Sequence, residues 1–217
     1  MYIKKYLAVI PVFLIVISFN SSLHADGSCD KKFIVESKGV MMGGMGEVTT
    51  TMFRKSCDEF AQKQVTKMAG FNQEQHMVQK EGYVYTNNNG QWTKTKEPDF
   101  ANLKKMREEG KSEKEIVMAL GGKPLNKNSN EFLEPCSFWE FFGSTVCYTD
   151  DMIPVNIKNQ AMEMNATKIT RGEYGPDSNF KVPADIPETD FNQPGEMPDM
   201  GEMPDMNELM KEIMKDQ

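Results

Sequence analysis

The sequence predicts a mainly β, α+β fold: an antiparallel sheet carrying short helices, followed by an acidic tail. Three observations predict it. Runs rich in Val, Thr, Phe and Tyr are divided by glycine and asparagine turns, and a single stretch of helical spacing interrupts them near the middle of the chain. Four cysteines, Cys29, Cys57, Cys136 and Cys147, fall into two close pairs, each straddling a segment that reads as a hairpin.

The first strand opens at Phe33-Ile34-Val35 and reaches Val40, and the second covers residues 47–55, where Val48 and four consecutive β-branched or long side chains favour extended backbone. Gly43, Gly44 and Gly46 lie between them and supply the turn. With Gly43 at the centre, Phe33 faces Phe53 and Cys29 faces Cys57, so that cysteines and phenylalanines share one side of the hairpin. Residues 59–69 and 71–78 read as two further strands divided by Gly70. Residues 83–86 and 92–95 flank Asn87-Asn88-Asn89-Gly90, whose residues tolerate positive φ, and this is the clearest hairpin in the chain.

After Pro98 the period changes. Phe100, Leu103 and Met106 recur at helical spacing over residues 98–107, and Ser112 with Glu115 forms a capping box that starts a second helix over residues 112–120. Gly121-Gly122 ends it. The second cysteine pair then brackets a hairpin turning at Glu140-Phe141-Phe142-Gly143, with Trp139 opposite Ser144 and Cys136 opposite Cys147. Strands at residues 153–157, 162–170 and 180–183 complete the reading.

Lys4 and Lys5 precede an apolar run of 14 residues, 6–19, and Leu23-His24-Ala25 ends on the small residue that a signal peptidase requires. The run covers about 21 Å as a helix, against a hydrocarbon layer of about 30 Å, so it reads as a signal peptide cleaved after Ala25 rather than an anchor. The chain divides into a signal peptide at 1–25, a β domain at 26–184 and a disordered acidic tail at 185–217. Ten carboxylates and two lysines give that tail a charge of −8, while the whole chain carries −7. The body is therefore near neutral, offers no basic stripe, and excludes nucleic acid as the expected partner.

An exported chain makes structural disulfides the expected state of all four cysteines. Three connectivities are possible, and pairing within each hairpin is the expected one. No CxxC spacing supports zinc or redox chemistry.

The segments Cys136-x-x-Trp139, residues 147–155 (CYTDDMIPV), Ala166-Thr167-Lys168-Ile169 and Phe180-Lys181-Val182-Pro183 resemble those of an uncharacterised family of exported bacterial proteins. That family is similar to the outer-membrane lipoprotein carrier and lipoprotein-sorting proteins. The resemblance implies an open half-barrel curled around an apolar concavity, with the two short helices as its lid, in a periplasmic protein that binds a lipid or other apolar ligand. The residues it nominates for the apolar face are Phe33, Val35, Phe53, Val65, Phe71, Met77, Tyr83, Tyr85, Trp92, Leu103, Ile116 and Leu120.

Enzymatic chemistry finds no support in the residues. The mature chain keeps one histidine, His76, and has no GxSxG, HExxH or phosphate-cradling glycine loop, so neither a catalytic residue nor a cofactor is expected. His76 reads as an ordinary partly exposed histidine rather than a metal ligand, and Asp150-Asp151 as a polar turn rather than an acid and base pair. The tail holds the one repeat, GEMPDM, twice over. Met197, Met200, Met203 and Met206 are soft ligands at a spacing that suits Cu(I), although an extended proline-rich chain holds neighbouring sulfurs about 9 Å apart. Leu209, Met210, Ile213 and Met214 make an apolar helical stripe that could dock into this protein's own sheet or into an envelope partner. Envelope copper handling and a structural or assembly role therefore stand beside lipid binding as expectations.

Overall fold

The computed structural model describes residues 31–41, 44, 46–68 and 71–189, with the side chain of Phe71 excepted. Eleven strands form one antiparallel sheet that does not close: β1 (Phe33–Met41), β2 (Gly46–Arg54), β3 (Phe60–Met68), β4 (Phe71–Lys80), β5 (Tyr83–Asn88), β6 (Gln91–Lys96), β7 (Lys123–Ser129), β8 (Cys136–Phe141), β9 (Ser144–Tyr148), β10 (Pro154–Lys158) and β11 (Met162–Arg171). The spatial order is β6-β5-β4-β3-β2-β1-β11-β10-β9-β8-β7. Two meanders therefore meet at a central seam between β1 and β11, the first and last strands. Between β6 and β7, at opposite edges, lie α1 (Phe100–Glu108) and α2 (Glu113–Ala119).

Both helices stand where the spacing places them. Ser112 caps α2 with the full reciprocal box: its hydroxyl accepts from the Glu115 N–H, and the Glu115 carboxylate accepts from the Ser112 N–H at 2.8 Å. Two glycines allow close packing around the helices. A Cβ on Gly82, which has φ +80°, would meet the Phe100 ring at 2.8 Å, and one on Gly122 would meet Val117 Cγ1 at 2.4 Å.

The registers correct two expectations. In the first hairpin Phe33 pairs with Arg54 and Ile34 with Phe53, one residue from the predicted register. Side chains alternate along a strand, so that single step sends Phe33 and Phe53 to opposite faces. In the second cysteine hairpin Trp139 pairs with Val146 and Phe138 with Cys147, because the turn is the tight pair Phe142-Gly143, both at positive φ, rather than a four-residue loop. Cys136 and Cys147 are nevertheless bonded, with Cα atoms 5.4 Å apart. Cys57 is also disulfide-bonded, and its expected partner Cys29 lies outside the described residues.

Two further readings change. Residues 177–180 form a 3-10 turn instead of opening a strand at 180–183, and β7 has no counterpart among the predicted strands. The segment after β11 runs across the sheet face that carries Phe53, Val78 and Tyr85, packing Phe180, Tyr174, Val182 and Ile186 there. It reaches the β6 edge, where Thr189 N–H donates to the Lys94 carbonyl at 2.8 Å.

Candidate ligand-binding face

The strand registers sort the side chains into two faces. Phe33, Val35, Met52, Arg54, Phe60, Gln79 and Met77 share the first, together with Ala166, Met162 and Met164 of β11. The helices lie on this side, since α2 places Glu113 against Arg54 and Val117 against Trp139, Phe141 and Tyr148. Phe53, Ala61, Val78 and Tyr85 point the other way and are covered by the C-terminal segment.

The twelve residues nominated for a single apolar face are thus divided. Phe33, Val35 and Met77 are buried on the helix-covered face. Leu103 and Ile116 are buried on the helices, and Leu120 packs beside Val117. Phe53, Tyr83, Tyr85 and Trp92 belong to the opposite face, beneath Phe180 and Ile186, and Val65 alternates to that side as well. Phe71 pairs with Met68 at the start of β4. The shifted register of the first hairpin separates Phe33 and Val35 from Phe53, and the pairing of β3, β4 and β5 separates Met77 from Val65 and Tyr85.

Sequence reasoning missed the polar half of the helix-covered face. Arg54, at the end of β2, is 3% exposed, and its Nη1 donates to Glu113 Oε1 at 2.8 Å. Glu113 is fully buried in the first turn of α2. Burial pushes its carboxyl up to about 8 despite the countercharge of Arg54, which it meets through a charge-assisted hydrogen bond. Burial likewise lowers Arg54, which sits 5.6 Å from the Phe33 ring centroid. Tyr148 lies at the same place on β9, and burial together with the charge of Glu113 raises its phenol well above the usual range.

Arg107 of α1 completes the cluster. Its Nη1 donates to Asp58 in the β2–β3 turn, and its charge further lowers Arg54. Further along the same face Gln62, Gln64, Thr50, Thr66 and Ser37 are buried among the methionines. Gln64 Nε2 donates to Thr66 Oγ1 at 3.2 Å, and Thr50 Oγ1 lies 3.4 Å from the Met164 sulfur. A different network closes the outer rim: Arg171 donates to Glu134 at 2.7 Å and to Asp151 at 2.8 Å. Those bonds lower Glu134, and they lower Asp151 against the opposing effect of its partial burial.

On the other face His76 Nε2 donates to the Asn179 carbonyl at 2.8 Å and stacks edge-on against Trp92, and burial lowers its pKa. The ring is a structural tie between β4 and the C-terminal segment. The tail candidates Met197, Met200, Met203, Met206, Leu209, Met210, Ile213 and Met214, and the cleavage point at Ala25, lie outside the described residues.

No family model matches the chain, and no curated protein matches it. Among solved structures it is similar to an uncharacterized conserved protein from Thermus thermophilus, with 8% identity and a TM-score of 0.46 over 74% of this chain and 91% of that one. It is also similar to PNGF-II in two crystal forms, at 12% identity and TM-scores of 0.40 and 0.37, and spans about a third of that protein's length: 31% and 32%.

Proposed function

We propose that the protein is an exported, non-enzymatic binding protein that holds an apolar ligand, an acyl chain or lipid, on the helix-covered face of a half-barrel. The observation that carries this reading is the reach of α2. Glu113 meets Arg54 on β2, while Val117, four residues on, packs against Trp139 and Phe141 on β8. Five strand spacings separate β2 from β8, about 24 Å on a flat sheet, whereas four helical residues rise only about 6 Å. Curvature toward the helices brings the two strands within reach of one short helix. A curled sheet with helices across its inner face is the arrangement that the resemblance to the lipoprotein carriers implies.

The lining supports an adaptable apolar ligand. Met52, Met77, Met162 and Met164 are all buried on this face, and unbranched thioethers accommodate irregular apolar shapes. The bonded cysteines suit an oxidising compartment, in keeping with the signal peptide read at residues 1–25. Extraction of the purified protein with organic solvent, followed by mass spectrometry, tests the proposal. A stoichiometric lipid or fatty acid is the expected result; a clean extract, together with failure to bind a fluorescent fatty acid, counts against it.

A further inference from the structure

Within the helix-covered face, the side chains beneath the junction of α1 and α2 are unlike the rest. Arg54, Glu113 and Arg107 have side chains only 4%, 0% and 8% exposed. Each commits one polar atom to a protein partner and holds others in reserve. Arg54 Nη2, Arg107 Nε and Arg107 Nη2 are buried N–H donors that make no hydrogen bond among the described residues. Gln79, in the same cross-strand row as Arg54 and Phe60, has neither side-chain amide atom bonded among the described residues. Buried polar groups are normally satisfied, and three unused guanidinium donors in one place form a concentration of unmet donor capacity.

The donors specify what would satisfy them. Two guanidiniums present planar forks that fit the paired oxygens of a carboxylate or phosphate. Glu113 meets Arg54 through Nη1 alone, which leaves Nη2 of Arg54 free to meet a second anion. Beside this polar end, Phe33, Val35, Met52, Phe60 and Met77 continue as one buried apolar cluster.

We propose that Arg54 and Arg107 form an anion-accepting site at the helix-covered end of the sheet, so that the ligand is an acyl chain with an anionic headgroup seated between the two guanidiniums. The inference rests on the binding function proposed above and assigns its ligand class. The head lies against β2 and α1, and the chain runs over Met52 and Met77.

Calorimetric titration of the purified protein with laurate, dodecan-1-ol and inorganic phosphate separates the possibilities. Laurate should bind at least about tenfold more tightly than dodecan-1-ol, the scale of a charge-assisted hydrogen bond in a buried site. Arg107→Gln should remove that preference, weakening laurate far more than dodecan-1-ol. Its protein partner Asp58 is half exposed, so this variant is expected to fold even where Arg54→Gln is not. Equal affinity for the acid and the alcohol overturns the anion site but leaves the apolar ligand standing, as does an Arg107→Gln variant that keeps the preference. Binding of neither chain overturns both proposals. Arg107-dependent binding of phosphate with no binding of laurate overturns the acyl ligand and reassigns the donors to a free anion.

Discussion

Met52 and Phe53 are neighbours on β2, yet they meet two differently built surroundings. Phe53 joins Ala61, Val78 and Tyr85 beneath Phe180, Tyr174, Val182 and Ile186, side chains supplied by the chain's own C-terminal segment. Met52 joins Phe33, Val35 and Met77 on the face where Arg54, Gln62, Gln64 and Gln79 are also buried, several with polar atoms that no described group satisfies. The strap-covered face is finished by covalently attached apolar groups and ties such as Lys63 Nζ to Asn179 Oδ1 at 2.8 Å. The helix-covered face mixes flexible methionines with unmet donors. Under the proposed function, the first face contributes to stability alone, whereas the second contributes to stability and also carries recognition.

The largest expected effect breaks the strap-covered face. Phe53→Ala should cost about 3 to 5 kcal/mol in urea denaturation, the range for a buried phenylalanine, and leave the affinity of the folded protein for laurate unchanged. Met52→Ala, one residue away, should cost about 2 kcal/mol, the low end for a buried methionine, and weaken laurate binding. Equal loss of stability with unaltered binding in both variants would erase the distinction between the faces.

Removing the covalent tie between β8 and β9 acts on both faces alike. The Cys136–Cys147 bond closes a loop with a sequence separation of 11, so Cys136→Ser with Cys147→Ser should lower stability by about 3 kcal/mol through the unfolded chain. A change in ligand preference in that double variant would tie recognition to the hairpin instead of to the β2 end.

The two faces and the rim also differ in how pH acts on them. Glu113 has its folded value raised from 4.5 to about 8, so between those values the folded protein holds a proton that the unfolded chain has released. The stability linked to that proton is complete below about pH 4.5 and is lost as pH rises through about 8. Glu134 and Asp151, lowered through Arg171, act in the opposite sense: their contribution is present above the unfolded carboxylate range and is lost as pH falls through their folded values. Urea midpoints measured from pH 5 to 8 should therefore decline in the native protein relative to Glu113→Gln, in which the lowered value of His76 leaves a rise in stability as pH climbs through the unfolded histidine range. A decline that survives the substitution would place the titrating group elsewhere. The smallest effect is at the cap: Ser112→Ala should cost about 1 kcal/mol and loosen α2 without altering the strap-covered face.

Local chemistry made much of this architecture legible. The Ser112 and Glu115 box needs only four consecutive residues, and the Asn89-Gly90 turn, with both residues at positive φ, needs two. The first hairpin was harder, because three glycines in its loop permit neighbouring registers equally well, and a slip of one residue exchanged the faces of Phe33 and Phe53. β7 is hidden in the sequence since six of its seven residues are exposed and Pro124 lies within it, so it shows no alternation and reads as a loop. Arg54 and Glu113 are 59 residues apart, one at a strand end and one in a helix's first turn, where an acidic residue is already accounted for by the helix dipole. Nothing in either local setting announces that they meet. The methionines at 52, 77 and 164 are a milder case: their burial follows alternation, but their common face emerges only from the pairing of β2, β4 and β11 through the strands between them.

Methyl NMR of protein carrying ¹³C-methyl methionine, titrated with laurate, tests the central claim most directly. The account predicts saturable shifts in the Met52 and Met77 methyl resonances with a common affinity, and loss of both shifts at the same laurate concentration in Arg107→Gln. Met52 and Met77 resonances that stay fixed while laurate binds would place the ligand elsewhere and contradict the assignment of the helix-covered face.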